Sequence, residues 1–304
     1  MSTTSSLSDA TPARPVSQSG TFTMGDVTVH RLGFGAMRLT GPGCWGPPSD
    51  RAGALRVLRR AVDLGVDFID TADSYGPYVS EELIAEALHP YPRSMIIATK
   101  AGLVRTGPVT GLVPELRRAA EFVPVGRPEY LRQQCEMSLR RLRLERIDVY
   151  FLHRIDPKVP AADQFGLLGD LQREGKIRHV GLSEVTIAEI EAAQAIVKVA
   201  VVQNLYNMGD RNSDAVVDFC GERGIGFVPW FPLGAGRLLR SDGPIAQVAR
   251  QLGATSAQVV LAWLLRRSMA MLPIPGTASL AHLDENCRAA SVELDDVQFA
   301  ELSA

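Results

Sequence analysis

Short apolar runs of strand character alternate with amphipathic helical stretches along almost the whole chain, and this alternation limits the fold more than any other feature. The strand-like runs fall at residues 32–37, 67–70, 95–99, 147–152, 179–182, 199–203, 226–229 and 271–274. Between them, helical periodicity is clear at 51–64, 80–88, 128–144, 161–174, 187–197, 213–223 and 256–267. In the first of these, Leu55, Leu58 and Val62 recur at spacings of three and four, the signature of one apolar helix face. Pro128 sits where a first-turn proline belongs, and Gly65, Gly175 and Gly224 sit where helices close. Parallel strands need crossovers of about a dozen residues or more, and these helices supply them.

Eight strands alternating with helices over about 270 residues point to a (β/α)8 TIM barrel, an α/β fold. An open doubly wound sheet usually carries GxGxxG after its first strand. Here that region reads Gly33-Phe34-Gly35-Ala36-Met37-Arg38, without the third glycine and without a helix opening at once. Residues 21–24 and 27–30 are expected to form an N-terminal β-hairpin around Gly25-Asp26. Two connections, 101–127 and 231–255, exceed ordinary loop length and are expected at the C-terminal face of the barrel, where active sites lie. Residues 1–20 read as a flexible polar tail, leaving 21–304 as a single domain.

Composition narrows the classes of partner. The 304 residues carry 32 Lys+Arg against 34 Asp+Glu, a net charge of -2, which argues against nucleic acid or an anionic membrane as the main partner. No run approaches about 18 apolar residues, and the N-terminus lacks a secretory h-region. Cys44, Cys135, Cys220 and Cys287 are scattered, with neither CxxC spacing nor a histidine companion, so neither a disulfide framework nor a metal site is expected. The chain reads as cytoplasmic and metal-free, with protein partners undetermined.

In such a barrel the polar residues at strand ends are the candidates for chemistry. Asp70, Lys100 and His153 close three different strands, and Tyr75 follows Asp70 in the adjoining loop. A phenol titrates near pH 10, and a neighbouring ammonium is expected to lower that value, with a carboxylate holding the ammonium in place. Imidazole can orient a carbonyl oxygen. Together these groups describe an acid–base centre interconverting carbonyl and alcohol, with tyrosine as proton donor and hydride from a cofactor.

These residues stand in recognisable motifs. Gly65-Val-Asp-Phe-Ile-Asp70-Thr-Ala-Asp-Ser-Tyr75-Gly76, Ile97-Ala-Thr-Lys100 and Asp148-Val-Tyr-Phe-Leu-His153 closely resemble the aldo-keto reductase superfamily, in order and over essentially all of 21–304. The resemblance implies the catalytic tetrad Asp70, Tyr75, Lys100 and His153, a hairpin plugging the barrel bottom, and an extended nicotinamide cofactor, NADPH, with NADH as the alternative. It further implies that Ser183 and Glu184 (in Gly181-Leu-Ser183-Glu184) and Gln203 touch the carboxamide, and that Trp230 stacks on the nicotinamide. Phe231 would also bind the cofactor, and Leu233, Gly234, Gly236 and Arg237 would follow the pyrophosphate.

Gly276, Thr277, Ser279 and His282 would meet the adenosine phosphate, and Glu285 and Asn286 the adenine. Gly276 and His282 replace the lysine and arginine of many relatives, so the usual guanidinium clamp is missing. The first strand and its loop, through Trp45-Gly-Pro-Pro48, are similar to the bacterial pyridoxal reductase branch, which implies an aromatic aldehyde as the small-molecule carbonyl substrate. Met37, Trp45 and Tyr78 would form an apolar wall with Trp230, while Arg105 or Arg154 would meet an anionic group. Two alternatives remain at this point: a dehydrogenase running in the oxidative direction on an alcohol or sugar, and a non-catalytic cofactor-binding subunit.

Overall fold

The computed structural model describes residues 14–109, 121–236, 238–239 and 243–304. A hairpin of β1 (Thr21–Met24) and β2 (Val27–His30) comes first, followed by the short β3 (Phe34–Gly35). The chain then alternates through α1 (Arg51–Asp63), β4 (Phe68–Asp70), α2 (Val79–Leu88) and β5 (Ile96–Ala101). A second hairpin, β6 (Leu103–Arg105) with β7 (Phe122–Pro124), leads to α3 (Pro128–Leu142), β8 (Ile147–Leu152), α4 (Ala161–Arg173) and β9 (Ile177–Ser183). Next come α5 (Ile187–Gln194), β10 (Val199–Leu205), α6 (Asp214–Arg223) and β11 (Gly226–Trp230). Four helices complete the chain: α7 (Pro244–Leu252), α8 (Ser256–Arg267), α9 (Leu280–Arg288) and α10 (Asp296–Ser303).

Seven strands form one parallel sheet in the order β11-β10-β9-β8-β5-β4-β3. The eighth run closes it without becoming a full strand. Met271 makes a single parallel bridge to Phe227, and the Gly33 amide donates to the Pro273 carbonyl at 2.9 Å. The result is the expected (β/α)8 barrel with its last seam narrowed. Crowding explains the seam, since a Cβ on Gly35 would lie 2.7 Å from the Ile274 carbonyl oxygen. The first strand is likewise shorter than its apolar run, because the chain turns into a 3-10 helix at Ala36–Leu39.

Local chemistry sets the helix ends. The Asp50 carboxylate accepts from the Gly53 amide at 2.7 Å and starts α1. Thr255 and Gln258 form a reciprocal capping box on α8, and Gly224, at φ 64°, ends α6 in the left-handed conformation. Within α1, Leu58 is fully buried, while Leu55 and Val62 pack partly buried against the same cluster.

The hairpin β1–β2 plugs the barrel. Met24, Val27 and Val29 pack with Phe68, Ile96, Val149, Phe151 and Val201 from four different strands. Asp26, at the hairpin turn, pairs with Arg178 and His179 near the start of β9, at 2.7 Å in each case. The plug therefore lies at the N-terminal end of the strands, opposite Asp70, Lys100 and His153 at their C-terminal ends.

One expectation needs correction here. The stretch read as a flexible tail is structured from Pro15 onward: Pro15–Ser19 is a 3-10 helix with Val16 fully buried. Val16 enters the cluster around α1, the Ser19 hydroxyl accepts from the Leu32 amide at 3.2 Å, and Arg31 Nε donates to the Ser19 carbonyl at 2.9 Å. A single apolar residue in a polar sequence, tied by these bonds, is enough to order the segment. Residues 1–13 lie outside the described residues.

Candidate active site

The C-terminal ends of β4, β5 and β8 deliver Asp70, Lys100 and His153 to one point, and the loop after β4 adds Tyr75. Lys100 Nζ donates to both Asp70 oxygens at 2.8 and 2.7 Å, to the Thr71 carbonyl at 2.7 Å and to the Tyr75 hydroxyl at 3.3 Å. Gln203 Nε2 adds a further donor to Asp70 Oδ1 at 2.8 Å. Lys100 and Asp70 are both buried. Burial pushes the Asp70 carboxyl up and the Lys100 ammonium down, and each opposes the shift in the other through their contact.

The Tyr75 hydroxyl does not behave as the sequence suggests. Burial, and then the Asp70 carboxylate, push it well above its ordinary value. Burial of the phenol outweighs the lowering expected from the Lys100 ammonium 3.3 Å away. Tyr75 is consequently held protonated, the form needed to donate a proton. His153 meets the Tyr75 ring edge-on at 5.9 Å between centroids, and its Nδ1 lies 3.3 Å from the Ser74 hydroxyl. Burial, with the positive charges of Lys100, Arg154 and Arg105, drives the imidazole well below its ordinary value, so it is neutral.

Asp70, Tyr75 and His153 line one end of a cavity of about 640 Å³ that runs along the barrel mouth to Thr277, His282 and Asn286. Ligand pockets typically span about 300–1,000 Å³. Among the described residues no group of three or more His, Cys, Asp or Glu could hold a metal ion. The residue order, the barrel and this cavity can be set beside known proteins. Residues 31–304 match the sequence model of the Aldo/keto reductase family. The chain belongs to this family.

This aldo/keto reductase is similar to several relatives over nearly its full length. An uncharacterised oxidoreductase of Schizosaccharomyces pombe is 47% identical, covering 96% of this chain and 92% of the relative. The pyridoxine 4-dehydrogenase of Escherichia coli is 43% identical, covering 91% and 95%. Among solved structures, an aldo-keto reductase from Klebsiella pneumoniae in complex with NADPH superposes with a TM-score of 0.78 at 26% identity, covering 93% of each chain.

The positions with expected cofactor roles divide into two groups in this aldo/keto reductase. Ser183, Gln203, Trp230, Phe231, Leu233 and Gly236 face the cavity at the ends of β9, β10 and β11 and beyond. Gly276, Thr277, His282, Glu285 and Asn286 line its other end. Glu184, Gly234 and Ser279 do not line it. Glu184 turns away and accepts from the Trp230 indole, and the Gly234 amide closes a turn onto the Phe231 carbonyl at 3.0 Å. Ser279 is taken up as the N-cap of α9, its hydroxyl accepting from the His282 amide and its own amide bonded to Thr277 Oγ1 at 3.0 Å. Arg237 lies outside the described residues.

The expected substrate wall is also rearranged. Met37 lines the cavity, but Trp45 and Tyr78 do not. Both are exposed: Tyr78 lies beneath the Arg141 guanidinium at 4.2 Å, and Trp45 lies 5.6 Å from Arg105. Arg105 is not available for an anion, because it donates to the carbonyls of Gly43, Cys44, Ser74 and Gly107 and stacks on Phe122. It fastens the loop after β3 to the β6–β7 hairpin instead. Arg154 faces the cavity while donating to the His153 carbonyl and to Ser183 Oγ.

The connection 101–127, expected at this face of the barrel, supplies the residues that take the place of Trp45 and Tyr78. Leu103, Phe122 and Pro124, from β6 and β7, form the apolar side, and Arg38 stands exposed at the cavity edge. The signal for the first three was present as the apolar pattern Phe122-Val-Pro124 inside a long Gly- and Pro-rich connection.

Proposed function

We propose that this aldo/keto reductase reduces an aldehyde to an alcohol with NADPH, taking a flat aromatic aldehyde such as pyridoxal. The observation that carries this reading is the Tyr75 hydroxyl lining the cavity 3.3 Å from Lys100 Nζ, which is paired with Asp70, with the His153 ring edge-on at 5.9 Å.

A nicotinamide cofactor fits the residues present. The cavity reaches from Tyr75 and His153 to the start of α9, and Gln203, with one amide N–H engaged by Asp70, keeps its carbonyl oxygen for a carboxamide donor. Near the far end, the hydroxyl of Thr277 and the imidazole of His282 are donors for a phosphate, and Arg38 supplies a cation on the cavity edge. The NADPH complex of the Klebsiella relative supports NADPH over NADH.

NADPH, when bound, supplies the hydride. The protein's part is to place the carbonyl and deliver the proton. His153 holds the carbonyl oxygen toward Tyr75, and the Tyr75 hydroxyl gives its proton to that oxygen as negative charge develops on it. Lys100, 3.3 Å away, then stabilises the phenolate left behind. Leu103, Phe122 and Pro124 keep water from this step and offer a surface on which a planar ring can lie. The resemblance to Escherichia coli pyridoxine 4-dehydrogenase supports pyridoxal as the aldehyde. All four cysteines are free thiols, which fits a reducing cytoplasm.

NADPH oxidation measured with pyridoxal, a nitrobenzaldehyde, methylglyoxal and a ketosteroid tests the reading. Turnover is expected to be highest with the aromatic aldehydes. No oxidation with any of them would leave a cofactor-binding protein without this activity, and preference for methylglyoxal would exclude the flat-ring pocket.

A further inference from the structure

The residue after Ser183 has a role that follows from where its side chain goes. Glu184 adopts φ 57°, a left-handed conformation uncommon outside glycine and held only where neighbours fix it. Its amide donates to the Gln203 carbonyl at 2.9 Å, and its side chain leaves the cavity. Behind the cavity wall, Oε1 accepts two N–H groups: the Leu205 amide at 2.6 Å and the Trp230 indole Nε1 at 2.7 Å. One carboxylate oxygen thus joins the ends of β9, β10 and β11.

The indole N–H is donor only, so this bond fixes which edge of Trp230 points to the wall and which face points into the cavity. The other ring contact of Trp230 is an edge-on approach to Phe231 at 5.7 Å, which is weakly directional by comparison. A bond to an ionised acceptor is about twice as strong as one between neutral groups.

We propose that Glu184 is a positioning residue that clamps the Trp230 indole and thereby sets the depth and tilt of the surface receiving the nicotinamide, without touching the cofactor. This rests on the reading that the nicotinamide stacks on Trp230. It departs from the expectation that Glu184, like Ser183, meets the carboxamide.

The test uses the full chain, with NADPH affinity from calorimetry and Trp230 emission taken as the difference from Trp230→Phe. Glu184→Ala is expected to shift the Trp230 emission of the cofactor-free protein and to raise the NADPH Kd about tenfold. Glu184→Gln keeps a carbonyl oxygen at the same reach and should restore most of the affinity. In a Trp230→Phe background, where no indole N–H remains, Glu184→Ala should add no further loss. Circular dichroism establishes folding, and Glu184→Asp, one methylene shorter, substitutes if the alanine variant does not fold.

An unchanged emission and Kd in Glu184→Ala overturn the proposal. So does an equal loss in the Trp230→Phe background, which would mean that Glu184 acts through the Leu205 amide or the cofactor and not through the indole. If Trp230→Ala weakens NADPH while Glu184→Ala does not, the cavity reading stands and the clamp alone falls. If Trp230→Ala leaves NADPH affinity unchanged, the stacking reading fails and the proposal falls with it.

Discussion

A Cβ placed on Gly276 would lie 2.4 Å from the carbonyl oxygen of Gly35, so the barrel's last seam closes backbone against backbone. No side chain fits there without moving the main chain. The seam therefore requires glycine at 276, and a lysine there would have to displace the Gly35 backbone. Gly276→Ala is expected to destabilise the protein by at least about 2 kcal/mol, as overpacking against backbone does, and to lower the melting temperature by several degrees. Gly276→Lys should misfold rather than gain preference for NADPH. Thermal unfolding checks both, and an unchanged melting temperature for Gly276→Ala would show that the seam can open.

Removing the Tyr75 hydroxyl separates chemistry from binding. Tyr75→Phe should lower turnover by about 10²–10⁴, the usual contribution of a positioned acid, with NADPH affinity changed less than about twofold. Lys100→Met should lose turnover as well, but for an additional reason. Among the described residues it leaves the buried Asp70 carboxylate with Gln203 alone as side-chain partner, a loss of about 3–5 kcal/mol typical of a broken buried pair. Steady-state kinetics and unfolding on the same samples distinguish the two. A Tyr75→Phe variant with wild-type turnover would assign the proton to another group.

The meeting of Asp70, Lys100 and His153 was legible in sequence because strand ends in a barrel converge whatever their separation along the chain. Asp70, Lys100 and His153 needed only correct strand boundaries, and these were right to within a few residues. Protonation was not legible. The fate of Tyr75 depends first on how deeply the phenol is buried and then on how near the Asp70 carboxylate lies, neither of which residue spacing encodes. The substrate wall was misread for a similar reason: Trp45 and Tyr78 are large and aromatic, but Arg105 and Arg141 hold them outside the cavity. Helix α7 was missed inside the connection 231–255, although Pro244 in its first turn and Gly253 at its end marked it. Helices α9 and α10 were missed too, the first because its sequence was read only as a cofactor motif.

The neutral state of His153 makes a prediction about pH. Its pKa in the folded protein lies well below the ordinary 6.5, pushed down by burial and then by Lys100, Arg154 and Arg105. Reduction at saturating cofactor should therefore show no limb near pH 6.5. Stability should show one. The unfolded chain takes up a proton at this histidine below about pH 6.5 and the folded protein does not, so the contribution is complete above that pH. It is lost as pH falls from there toward the lowered folded value. His153→Gln should flatten this part of the stability profile, and a rate limb near 6.5 that vanishes in the same variant would contradict the assignment.

Asp73 behaves in the opposite sense. It is buried in the loop that carries Tyr75, and its Oδ1 has no hydrogen-bond partner. Glu81, also buried, has both oxygens engaged, by Thr99 Oγ1 and by Arg141 Nε. One guanidinium thus faces two acids, and Glu81 holds it. Burial, and then the Glu81 charge, push the Asp73 carboxyl well above its ordinary value. The folded protein retains this proton to higher pH than the unfolded chain, which releases it near pH 4. Stability from this group is complete below that pH and declines as pH rises toward the folded value. Asp73→Asn keeps the shape of the neutral acid and removes the titration, so its melting temperature should exceed that of the wild type by a margin that widens from about pH 4 upward. A lower melting temperature for Asp73→Asn at neutral pH would mean that Asp73 is an ionised partner of Arg141 instead.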